Sequence, residues 1–258
     1  MNDLDHTQKQ RAAFDAGYAV VRSHVESTDP ATRYIVDSRL AAALARLRAH
    51  AGSRLSNSSS VLFSCAGEGG EASLCRGLGY GDVTFTDISP VAVESGLARD
   101  PRLKGFAGNA EALNIADASY DIVIVQDGLH HLQSPVRGFT EMLRVARVGT
   151  IFIEPHQSLV GDLIGTKWER NGPAVNYVFR WSRSLVEDIA SSYLGPDSFD
   201  NLSFSYWHHN MVFARLAKAV GEGQRGVSAV KAAKGILDTT AGRFGNMFSG
   251  IVLKRPRR

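Results

Sequence analysis

Val61-Leu62-Phe63-Ser64-Cys65-Ala66-Gly67-Glu68-Gly69-Gly70 opens the stretch that decides the fold, and Val83-Thr84-Phe85-Thr86-Asp87 closes it. A short apolar run enters a glycine turn and a helical segment follows. A second short strand then ends on an acid eighteen residues after Gly69. In a doubly wound sheet, glycines let the backbone approach a nucleoside, and an acid at the end of the second strand takes its ribose hydroxyls. The stretch therefore predicts a grip on a nucleoside.

From residue 60 onward the chain alternates strand and helix. Strands are predicted at 60–65, 82–87, 103–107, 120–126 and 148–154, with helices starting near 70, 90, 110 and 135. Ser89-Pro90 and Ser134-Pro135 each place a capping serine before a proline at the first helical position. Strands joined by helical crossovers make a parallel sheet with both faces covered. Tyr120 to Val125 and Gly149 to Glu154 read as buried parallel strands, because they are almost unbroken apolar runs.

The flanks read differently. Phe14, Tyr18 and Val21 lie three and four apart, so residues 8–25 are expected to be helical. Asp29-Pro30 reads as a second helix start, whose apolar face carries Val36, Leu40, Leu44 and Leu47. A serine-rich linker at Ser53–Ser60 separates this part from the sheet. Beyond Glu154, residues 156–181 are mixed in character, and Ser184-x-x-Glu187 reads as a capping box. Phe199–Trp207 is strand-like, residues 211–240 are helix broken by glycines, and Met247–Lys254 is a last strand.

The 258 residues are 44% hydrophobic and 21% charged, which is enough for one large core. No run of about 18 apolar residues marks a membrane span. The polar start of the chain lacks a signal core, so a cytoplasmic protein without stable membrane insertion is expected. Cys65 and Cys75 are too few for a disulfide framework or a four-cysteine zinc site, and read as buried thiols. The net charge of +3 is small and gathers in the solvated tail Lys254–Arg258. No basic block is interleaved with aromatics, so nucleic acid is not an expected partner.

The order of motifs resembles the class I S-adenosylmethionine-dependent methyltransferases, in the branch with a type-11 domain, over about residues 60–156. Gly67-Glu68-Gly69 matches the end of that family's glycine turn, while Cys65 stands where a glycine is usual and Phe63 where an acid is usual. Asp87-Ile88 matches the ribose acid and the apolar residue that packs on adenine. Gly108-Asn109-Ala110-Glu111-Ala112-Leu113 is similar to the family's Gly-Asp-Ala-Glu-x-Leu. Tyr120-Asp121-Ile122-Val123 with Leu129-His130-His131 is similar to its Phe-Asp-x-Val and Leu-His-His. Met142-Leu143-Arg144-Val145 and Gly149 resemble a further motif. A nicotinamide-binding sheet would instead need Gly-x-Gly-x-x-Gly, which Gly67, Gly69 and Gly70 do not give.

The resemblance implies a Rossmann-like α/β sheet of seven strands, the last antiparallel. A helical cap would cover 1–58 and the methyltransferase domain 59–258, with lid insertions at about 156–181 and 208–243. It implies S-adenosylmethionine as cofactor, leaving as S-adenosylhomocysteine. The residues implied to hold it are Ala66, Gly67, Glu68 and Gly69, then Asp87 and Ile88, then Asn109 and Ala110, and finally Gln126, Asp127 and Gly128. Asn109 would meet the adenine amino group through its carbonyl oxygen.

Methyl transfer from a sulfonium is an in-line displacement, and a hydroxyl acceptor is helped by a base near neutral pKa. Histidine suits that role. By the same resemblance His131 is the expected base, with His130 second and Glu154 orienting the histidine or binding the acceptor. A divalent ion is not favoured, because Glu154-x-His156 offers two ligands, to which His208-His209 could add. Trp168, Tyr177, Phe179, Trp181, Tyr206 and Trp207 are candidates for a lid. Tyr18 and Arg33 are candidates to close over the methionine end. The expected acceptor is a small-molecule hydroxyl, on a sugar, glycolipid or polysaccharide precursor. Nitrogen or carbon acceptors stay open, as do an inactive cofactor-fold binding protein and a homodimer.

Overall fold

The computed structural model describes residues 5–18, 30–172, 174–207, 210–221 and 223–256. Val21, Asp29, His208, His209 and the side chain of Tyr18 lie outside the described residues. The apolar runs form the centre of one sheet. Its parallel part comprises β1 (Ser60–Ser64), β2 (Asp82–Asp87), β3 (Lys104–Ala107), β4 (Tyr120–Gln126) and β5 (Ala146–Pro155). Their order is β3-β2-β1-β4-β5, so the chain reverses its winding between β1 and β4. Ligands bind beyond the carboxyl ends of the strands at such a reversal.

The sheet ends antiparallel, as expected: β10 (Met247–Lys254) runs against β5. The strand count differs, with eight strands among the described residues in place of seven. The edge strand expected over Phe199–Trp207 is broken into β8 (Phe199–Asn201) and β9 (Phe204–Tyr206), both paired to β10. The break has a local cause. Asn201 Oδ1 accepts the Ser203 backbone N–H at 3.1 Å, and Ser203 Oγ accepts from Ile251 N at 3.0 Å. A side-chain turn thus replaces a ladder step.

The helices are α1 (His6–Tyr18), α2 (Pro30–Ala51), α3 (Gly70–Gly77), α4 (Pro90–Arg99) and α5 (Pro135–Val145), then α6 (Leu159–Ile164) after β5. The hairpin β6 (Trp168–Asn171) and β7 (Ala174–Tyr177) precedes α7 (Arg183–Leu194), and α8 (Asn210–Val220) and α9 (Gln224–Ala241) precede β10. The helix expected near 110 does not form. Asn109 Oδ1 takes the Glu111 N–H at 2.9 Å and Glu141 takes the Leu113 N–H at 2.9 Å, so side chains claim the amides a helix would use. Ser89 caps α4 by accepting from Ala92 N at 3.1 Å. Ser134 makes no side-chain cap, and Ser182, not Ser184, caps α7 from Leu185 N at 3.3 Å.

Two apolar layers hold the sheet. On one face Leu40, Leu44 and Leu47 of α2 pack with Val61, Phe63, Ile122, Ile124 and Ile151, so the N-terminal helix shares the sheet's core. On the other face Phe139, Met142 and Leu143 of α5 and Val186 of α7 surround Phe152, Trp181 and Phe248. The 156–181 excursion leaves and returns at one point. His156 bridges Trp181, and Gln157 N donates to Trp181 O at 2.8 Å. Trp181 is fully buried, 4.6 Å from the Phe152 ring and 5.5 Å from that of Phe139. Trp181→Ala is expected to cost about 3–5 kcal/mol in denaturant unfolding. A loss below about 1 kcal/mol would show that the excursion is not anchored there.

Candidate functional site

The carboxyl ends of β1, β2, β3 and β4 open into a cleft. Cys65, Asp87, Ile88, Asn109 and Ala110 line one part of it, and Asp127, Gly128 and His131 another. His6, Gln10 and Phe14 of α1 form a wall across it. Asp87 sits at the end of β2 because its two oxygens are held from below. Oδ2 accepts Gly67 N at 2.8 Å and Oδ1 accepts Ser89 N at 3.0 Å. Burial raises its carboxyl pKa, against the lowering effect of these amides. A carboxylate has four acceptor positions, so Asp87, which lines the cleft, can accept further hydrogen bonds. Gly67 and Gly69 take φ of 53° and 73°, the left-handed values that a tight turn under a ligand requires.

Cys65 occupies the left-handed region too, with φ of 53°, which is why a glycine would suit that position. Its side chain fits because the facing residue lacks one: a Cβ on Gly128 would stand 2.4 Å from Cys65 Cβ. Burial pushes the Cys65 thiol pKa well up, so it stays a thiol. Asn109 lines the cleft, with one Oδ1 lone pair committed to the Glu111 amide at 2.9 Å. Glu68 is placed differently from expectation. Its buried carboxylate turns to α4, bonding Arg99 and Ser95 at 2.6 Å each. Ala66, Gly67 and Gly69 form the floor below Asp87.

A polar group that composition did not reveal lies under the turn after β4. Asp127, at φ 51°, pairs with the buried Arg39 of α2 at 2.5 Å. Gln126 donates to Glu71 at 3.3 Å, and burial raises the Glu71 carboxyl to about 7. The expected cation, Arg33, is instead exposed and lies 3.9 Å from Asp37 on its own helix. Arg39 has a legible signal: it is an arginine on the buried side of α2, next to Leu40.

The histidines meet at the other end. Glu154 is fully buried at the end of β5. Its Oε1 accepts the backbone N–H of Gly128 at 2.8 Å and of Leu129 at 2.7 Å, and its Oε2 lies 2.6 Å from His130 Nδ1. Glu154 therefore orients His130 rather than His131. Burial pulls the His130 pKa down, but Glu154 and then Glu169 outweigh it and raise it to about 10. His131 lines the cleft, and burial followed by the neighbouring His130 holds its pKa down. Its Nδ1 lies 3.0 Å from Asn176 Nδ2, and its carbonyl 3.2 Å from His6 Nε2. Gln10 of α1 in turn bonds Asn176.

The structure does not bring Glu154 and His156 together. His156 faces the Gly245 carbonyl at 2.7 Å from Nδ1 and stacks on Phe248. Nor do the six aromatics form one lid. Trp168 and Tyr177 are exposed on the β6–β7 hairpin, Phe179 and Trp181 join the core, and Tyr206 is buried in β9. Trp207 Nε1 donates to Ala241 O at 2.8 Å. Sequence reasoning missed Glu169 and Asn176 of the hairpin and His6 and Gln10 of α1, because only the tertiary fold brings the first pair to the histidines and the second to the cleft.

Residues 63–153 match the family model described as a methyltransferase domain. The demethylmenaquinone methyltransferase of Beutenbergia cavernae is 43% identical over 68 residues, which are 26% of this chain and 28% of that protein. The demethylmenaquinone methyltransferase of Renibacterium salmoninarum is 38% identical over 68 residues, covering 26% and 29%. The matches thus span under a third of those relatives. Among solved structures, the [4+2]-cyclase SpnF gives a TM-score of 0.65 at 15% identity, covering 97% of both chains. The magnesium protoporphyrin IX methyltransferase of Synechocystis, solved with bound S-adenosylmethionine, gives 0.59 at 14% identity, covering 99% and 100%. At those identities the likeness establishes the fold.

The close approach of Cys65 and Gly128 yields a double-mutant test. Gly128→Ala is expected to lower stability by about 1–3 kcal/mol through overpacking. Cys65→Gly removes the facing Cβ and the left-handed strain, so the pair should recover much of that loss. An equal penalty for Gly128→Ala in both backgrounds, read by denaturant unfolding, would contradict the contact.

Proposed function

We propose that this chain, which carries a class I S-adenosylmethionine-dependent methyltransferase domain, transfers the methyl group of S-adenosylmethionine to a small molecule through a hydroxyl of that molecule. The observation that carries the proposal is one cleft lined by Asp87 and Asn109 at one end and His131 at the other. The residues fit the cofactor: an acid offers lone pairs for ribose, and the glycine turn lies beneath it. When bound, the cofactor supplies an electrophilic methyl group.

The chain's own residues do the rest. Asp87 fixes the ribose, and Ile88 offers an apolar surface beside it. Walls from α1 and the β6–β7 hairpin exclude water, which would compete for the methyl group. The acceptor's proton passes to His131, the histidine whose ring is neutral. His131 presents a neutral ring to the cleft, beside a His130 whose orientation Glu154 fixes.

The acceptor atom has two readings. A hydroxyl oxygen, on a sugar or related carrier, suits a polar cleft with a base. A ring carbon beside a hydroxyl is favoured by the similarity to demethylmenaquinone methyltransferases. Both readings need the hydroxyl proton removed, since deprotonation makes either the oxygen or the ring carbon nucleophilic. They part at the product, where methyl attached to oxygen and methyl attached to carbon differ in NMR shift.

Calorimetry with S-adenosylmethionine tests the cofactor end. Asp87→Asn should weaken binding about 10–100-fold, the loss of charged hydrogen bonds; unchanged affinity would refute the ribose assignment. His131→Ala should lower turnover about 10²–10⁴-fold with cofactor affinity retained. Full turnover in that variant would remove the histidine from the chemistry.

A further inference from the structure

We propose that His130, His131 and Glu169 hold a divalent transition-metal ion at the acceptor end of the cleft. The three side chains each present a ligand atom, all within 4.8 Å of one another. Glu169 Oε2 lies 3.4 Å from His130 Nε2 and 3.8 Å from His131 Nδ1. Two ligands about 2.1 Å from a tetrahedral ion stand about 3.4 Å apart, so these separations are close to those a bound ion imposes. Two imidazoles and one carboxylate suit zinc or ferrous iron and leave further positions open.

The support behind the ligands is the stronger argument. A metal-bound histidine commonly gives its other ring N–H to a carboxylate that fixes its tautomer. His130 does this: its Nδ1 lies 2.6 Å from the fully buried Glu154, leaving Nε2 toward Glu169. Glu154 is itself fixed by the amides of Gly128 and Leu129 at 2.8 and 2.7 Å. The ligand set is also jointly owned. The histidines follow β4, whereas Glu169 sits on β6 of the hairpin. An ion would therefore tie the hairpin to the sheet over the cleft. His131 Nδ1 also faces the Asn176 amide at 3.0 Å, and an ion at that nitrogen displaces this contact while Asn176 keeps Gln10.

For its role the proposal rests on the methyl-transfer reading: with His131 Nδ1 engaged as a ligand, the ion rather than the free imidazole would bind the acceptor hydroxyl and ease loss of its proton. The site itself does not depend on that reading. The test is equilibrium dialysis of the full chain, first stripped with a chelator, against zinc and separately against cobalt(II), without cofactor. The expected result is one tightly held ion per chain and the strong visible absorption of four- or five-coordinate cobalt. Glu169→Gln, on a partly exposed hairpin position, should weaken zinc binding at least tenfold and lose that absorption. Asp200→Asn, at the far edge of the sheet, should leave both unchanged. His130→Gln repeats the test from the sheet side, with thermal unfolding as the check on folding.

Equal zinc binding in the parent and Glu169→Gln proteins, or no cobalt absorption in the parent, overturns the site and leaves the triad as an ion pair of His130 between two carboxylates. The two readings fail separately. A site that binds zinc in a chain that transfers no methyl group sinks the activity alone, and undiminished transfer by a chain that takes up no ion sinks the metal alone.

Discussion

A single buried carboxylate organises the site. Taking Glu154 out of water costs several kcal/mol unless the charge is fully engaged. Here it is: two backbone amides reach one oxygen and His130 reaches the other. Those bonds shape the turn after β4. They hold the backbone where Asp127 takes a left-handed φ and Gly128 lies against Cys65, and they fix the direction of His130. The glycine turn and the histidine end therefore meet through the packing of Gly128 on Cys65. Removing Glu154 would disturb both, whereas changing Asp87 would disturb the nucleoside end alone.

Around this unit the walls are held differently from the floor. The sheet rests on two apolar layers, but α1 and the hairpin meet the cleft mostly through polar contacts: Gln10 to Asn176, Asn176 to His131, and Asp15 to Ser89. Gln10 and Asn176 are both buried, so their contact is desolvated and ties α1 to the hairpin.

The parallel core was legible because its signals are local. Apolar runs of strand length, Ser89-Pro90 as a cap, and Asp87 after the second strand are each read within a few residues. The Leu-His-His turn was legible for the same reason. The helix near 110 was misread because Asn109 and Glu141 compete for its amides, and one of these comes from another element. The broken edge strand hides in Asn201 and Ser203, whose side chains replace a ladder step. Glu154 was expected to orient a histidine or bind the acceptor, and choosing between two adjacent histidines needs the twist of the turn. Arg39, Glu169 and Asn176 reach the site from distant segments, which no spacing within the strands encodes.

The central claim is that the cleft above β1, β2 and β4 holds the nucleoside on Asp87 and points the reacting group at the Glu154-organised histidines. A crystal structure with S-adenosylhomocysteine tests it most directly. The account predicts both ribose hydroxyls on the Asp87 carboxylate, the adenine beside Ile88 and Asn109, and the sulfur facing the side of the cleft that His131 lines. A ribose bound away from Asp87, or a sulfur directed away from the histidines, would contradict it.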